Sequence, residues 1–137
     1  MKQSVLLTIT SLLTLLLLLL HLADDIVLGF EKGVPSNLLA VPIAVIWLYA
    51  TLVLAERRSG YVIVLLGSLL GTYVPYIHFN LAGGVLGREI AKSNGGLLWV
   101  WTLIALGVCA LFSVILAAQG LWKLERSRFR KPELTSP

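Results

Sequence analysis

The stretch SVLLTITSLLTLLLLLLHLADD, Ser4 to Asp25, decides what kind of molecule this is. From Ser4 to Leu20 it carries no ionisable group, and Leu15 to Leu20 are consecutive leucines. A membrane-spanning helix needs about 20 mostly apolar residues. Residues 4–23 meet that length, and the run then stops at His21, Asp24 and Asp25. Three further windows behave alike: 38–55, 61–82 and 97–121, all without Asp, Glu, Lys or Arg. Lipid tails offer a backbone no hydrogen bonds, so such runs span as helices that satisfy their own N–H and C=O groups. The alternation of a membrane β-barrel strand is absent. The expected fold is therefore all-α: an integral membrane four-helix bundle of up-down topology, one domain over residues 1–137.

Composition points the same way. Only 13% of the 137 residues are charged, with 58% hydrophobic and a mean hydropathy of +0.90. A soluble domain carries about 25% charged residues. Cys109 is the single cysteine, so no internal disulfide is available, and in mid-span it reads as inert packing.

Lys and Arg set the orientation. With a cytoplasmic amino terminus, that side holds Lys2, Arg57, Arg58, Lys123, Arg126, Arg128, Arg130 and Lys131, against Lys32, Arg88 and Lys92 outside. Short loops obey this bias best, which places both termini inside the cell membrane. The net charge of +4 is then a topological anchor with a basic tail, 122–137, near lipid head groups, and not a nucleic-acid surface. The first run is expected to be an uncleaved anchor. Its apolar core exceeds a signal peptide's, and His21 is a poor residue three places before a cut at Ala23.

The connections fit this frame. Residues 24–37 make an outer loop, 56–60 a tight inner turn, and 83–96 a second outer loop. Trp99, Trp101 and Trp122 sit at the ends of the last span, as in an aromatic belt. Pro75, inside the third span, should kink or open it and leave carbonyls to be satisfied.

Two polar stripes converge. Thr10, Thr14, His21 and Asp25 share a face of the first helix; Gly67, Gly71 and His78 share one of the third, with Ser68, Thr72 and Pro75 alongside. Gly67-x-x-x-Gly71 permits close helix packing, within the chain or in a homo-oligomer. His21, Asp24, Asp25, His78 and Glu89 should then meet at the outer mouth, with Asn80 as a supporting position. The plainest reading is a structural polar network with no cofactor, in a non-enzymatic membrane component or assembly partner. Two imidazoles with carboxylates also make a ligand set for Zn, Fe or Mn. A third reading is haem b, held axially by the histidines with Gly67 and Gly71 leaving room. A proton path would want ionisable groups nearer the midplane. No phosphate loop, nucleophile elbow or cysteine pair is present.

Overall fold

The computed structural model describes residues 2–29, 32–80 and 96–129, and these are helical, with no strand among them. In chain order they form α1 (Gln3–Val27), a 3-10 turn (Pro35–Leu39), α2 (Ala40–Leu52), α3 (Arg58–Asn80) and α4 (Gly96–Phe129). Gln3–Val27, Arg58–His78 and Gly96–Ser127 are each long and apolar enough to cross a membrane. This is a helical membrane protein.

The surface has the inverted character that lipid demands. Large apolar side chains such as Leu16, Val45, Leu66 and Phe112 are exposed. The interior is instead rich in small residues: Ser11, Ala50, Ser68, Ala110, Ser113 and Ala117 are all buried. Lipid tails remove the hydrophobic drive between helices, so close packing and interhelical hydrogen bonds take its place. Gly71 shows the tightness. A Cβ there would lie 3.0 Å from Thr14 and 3.2 Å from Ala110, on two different helices.

Contacts fix the helix directions. The Lys123 ammonium donates to Gln3 Oε1, Gln3 Nε2 donates to the Leu116 carbonyl at 3.1 Å, and Arg58 lies 3.5 Å from Glu125. The starts of α1 and α3 thus share one end with the close of α4. Helix α4 runs antiparallel to both and packs on both, and α2 lies on the flank of α1 and α3. Trp47 anchors α2: its Nε1–H donates to Ser11 Oγ at 2.8 Å, and Ser11 and Thr51 share a second bond of 2.8 Å.

Several boundaries differ from the hydropathy windows. The second window, 38–55, holds only a 13-residue α-helix behind its 3-10 turn. The return to α3 occupies residues 53–57, with Glu56 in the left-handed region at φ 65°, and α3 begins at Arg58, inside the expected 56–60 turn. Gly60 is the reason: any Cβ there would strike the Leu54 carbonyl, so only glycine lets α3 start so close to the end of α2. Helix α4 continues through residues 122–129, expected as tail, because hydropathy marks where lipid stops and not where a helix does. Helix α1 likewise takes in Asp24 and Asp25 and ends at Val27, with Gly29 beyond its Leu28 cap in the left-handed region at φ 76°. Pro75 lies within an unbroken α3. Residues 81–95, and Glu89 with them, lie outside the described residues.

Candidate metal centre

At the end of the helices away from Gln3, α1, α3 and α4 bring four side chains together. His21 and Asp25, one turn apart on α1, face inward, and His21 is only 2% exposed. From α3, His78 turns its ring toward them. Its Nδ1 is 2.8 Å from the Val74 carbonyl. A carbonyl only accepts, so Nδ1 carries the hydrogen, and Nε2 is presented to Asp25.

The carboxylate is the hub. Asp25 Oδ2 stands 3.4 Å from His78 Nε2 and 3.6 Å from His21 Nε2. Oδ1 accepts a 2.5 Å hydrogen bond from Trp99 Nε1 on α4. The imidazoles meet edge to face with ring centres 4.9 Å apart, and the Trp99 indole packs 5.0 Å from His21 and 5.4 Å from His78. Among the described residues neither nitrogen of His21 has a hydrogen-bond partner, since the 3.6 Å to Asp25 exceeds hydrogen-bond reach.

The geometry sorts the residues singled out by pattern. His21, Asp25 and His78 come together, whereas Asp24, half-buried on the next face, stays outside the set. The Asn80 side chain is not among those described. Trp99 is a correction. It is buried at 3% and bonded to Asp25, while Trp101 and Trp122, 63% and 61% exposed, remain on the surface like belt residues. The signal that could have found Trp99 is weak: it, Leu103, Leu106, Ala110 and Ser113 make one inward stripe of α4.

Gly67 and Gly71 leave no cavity. The Trp47 ring covers the first; Thr14, Ala110 and Leu106 cover the second. That removes the room expected for haem. A flat macrocycle must lie between its axial imidazoles, and here ring edges and the Asp25 carboxylate fill that space. A bare ion fits better. The ligand atoms of His21, Asp25 and His78 lie within 4.8 Å of one another. A tetrahedral ion with bonds near 2.1 Å needs ligand atoms about 3.4 Å apart, close to the 3.4 and 3.6 Å separations from Oδ2. The Val74 carbonyl and the Trp99 indole stand where the outer hydrogen bonds of a metal site would be.

Beside this trio runs a groove of about 260 Å³ between α1, α2 and α3. His21, Asp25 and His78 line it at one end, with Leu15, Leu18, Ala44, Leu70 and Val74 along its length. Comparison with protein-family models, curated proteins and solved structures finds no match to this chain.

Proposed function

We propose that this chain is a four-span protein of the cell membrane, both termini cytoplasmic, that holds a divalent transition-metal ion at His21, Asp25 and His78. The observation that carries the reading is the trio of buried His21 and Asp25 with half-buried His78, its ligand atoms within 4.8 Å of one another and both His21 nitrogens without a hydrogen-bond partner among the described residues. Burying such groups without partners is costly, and inside a membrane they mark function by default. Two imidazoles and a carboxylate suit Zn, Fe or Mn.

Two features support the topology. The 3-10 turn and α2 together reach about 30 Å, a hydrocarbon thickness, although α2 alone is short. Lys2, Arg58 and Lys123 share the end of the helices opposite the trio, as the excess of inner positive charge requires.

A structural role is the second reading, favoured by the Trp99–Asp25–His78–Val74 chain of contacts that ties α1, α3 and α4 together. Metal analysis of detergent-purified protein after zinc loading and dialysis separates the two. One equivalent of zinc is expected in the parent and in Glu56→Ala, and a small fraction of it in His21→Ala or His78→Ala. Equal zinc in all four proteins, or none in the parent, would sink the metal reading. Trp99→Phe keeps an aromatic ring, though a smaller one, and deletes the donor to Asp25. Its zinc affinity, read by chelator competition, should fall about 10–100-fold.

A further inference from the structure

The groove ends on the three ligand atoms, so the open side of the bound ion would face an aliphatic channel. Its rim is formed by Leu19, Ile43 and Leu70, which are also exposed on the lipid-facing surface. From Asp25 to Leu15 the channel follows α1 for about 15 Å. A site of this shape, apolar along its length with polar groups at one end, fits a chain with a head group.

Charge identifies the head. Two metal-bound imidazoles are neutral and Asp25 supplies one negative charge, which leaves a divalent ion with a surplus of one in a low-dielectric setting. Uncompensated charge there is costly. Among the described residues no Lys or Arg lines the groove, so without the ion only the two imidazoles could offset Asp25 against an anion. A monoanionic oxygen donor completes the coordination and cancels the surplus; a cation or a bare hydrocarbon does neither.

We infer that the groove takes a fatty acid, its carboxylate on the metal and its chain along α1 between α2 and α3. This rests on the metal reading above, and the test separates the two. Protein loaded with Co(II), whose visible absorption responds to its ligands, is titrated in a maltoside detergent with laurate, acetate and dodecanol. Laurate is expected to change the spectrum at concentrations about tenfold or more below acetate, because the chain adds apolar burial. Dodecanol, uncharged, should leave the spectrum unchanged. Ala44→Phe fills the groove and should bring laurate to the level of acetate, with cobalt content unchanged. Retained cobalt with laurate no better than acetate, or a laurate preference that survives Ala44→Phe, would overturn the inference and leave the metal site standing. Failure to retain cobalt in the parent would overturn both.

Discussion

Asp25→Asn should lose its metal almost completely while its helices stay packed. The amide oxygen can still accept from Trp99 Nε1, so the contact between α1 and α4 has a replacement. What disappears is the negative charge and the oxygen that lies 3.4 and 3.6 Å from the two imidazoles. Outer hydrogen bonds of metal sites already control affinity about 10–100-fold, so a direct anionic ligand should count for about 100-fold or more. Chelator competition measures the affinity, and thermal unfolding of the metal-free proteins measures the packing. A purely structural network gives a different result: with Trp99 still bonded, Asn would change little, and zinc content would track the parent. A metal-free variant of unchanged stability, with zinc affinity also unchanged, would favour that second outcome.

Gly67→Leu should dislodge α2. A Cβ at Gly67 would sit 2.7 Å from two carbons of the Trp47 ring, far inside van der Waals contact. Trp47 cannot swing away cheaply. It is buried to 1% exposure, and its indole donates to Ser11, which in turn bonds Thr51. Overpacking of a filled site costs about 1–3 kcal/mol, and here it is added to an interhelical hydrogen bond of about 0.6 kcal/mol. The melting temperature in detergent should drop by several degrees, and Trp47 should become accessible to a quencher. The groove should also widen, since α2 forms one of its walls. Unchanged stability with weakened self-association would instead put Gly67 on a contact between copies.

The membrane class was legible because it depends on run length alone, and α1, α3 and the start of α4 lie within a few residues of their windows. Helix ends were not, since lipid exposure and helical conformation end at different places. Asp25 was assigned to the junction of helix and loop, yet it is helical and buried. The approach of His21 to His78 was readable because each closes a polar or small-residue stripe on a helix running in the same direction. Trp99 was hidden by its type: an indole near a span end usually serves the interface, and only the facing carboxylate of another helix makes it a donor. Gly67 was ambiguous for a related reason. A small-residue motif says that something approaches closely, and the identity of the approaching group, the Trp47 ring, is a tertiary fact.

Helix α4 has one further consequence. Trp99, which steadies Asp25, and Glu125, which meets Arg58, ride the same uninterrupted rod about 39 Å apart. The indole donor at one end and the Arg58 contact at the other are therefore held in register by one continuous helix. One helix thus joins the two ends of the molecule, and at the far tip it holds on by a single indole hydrogen.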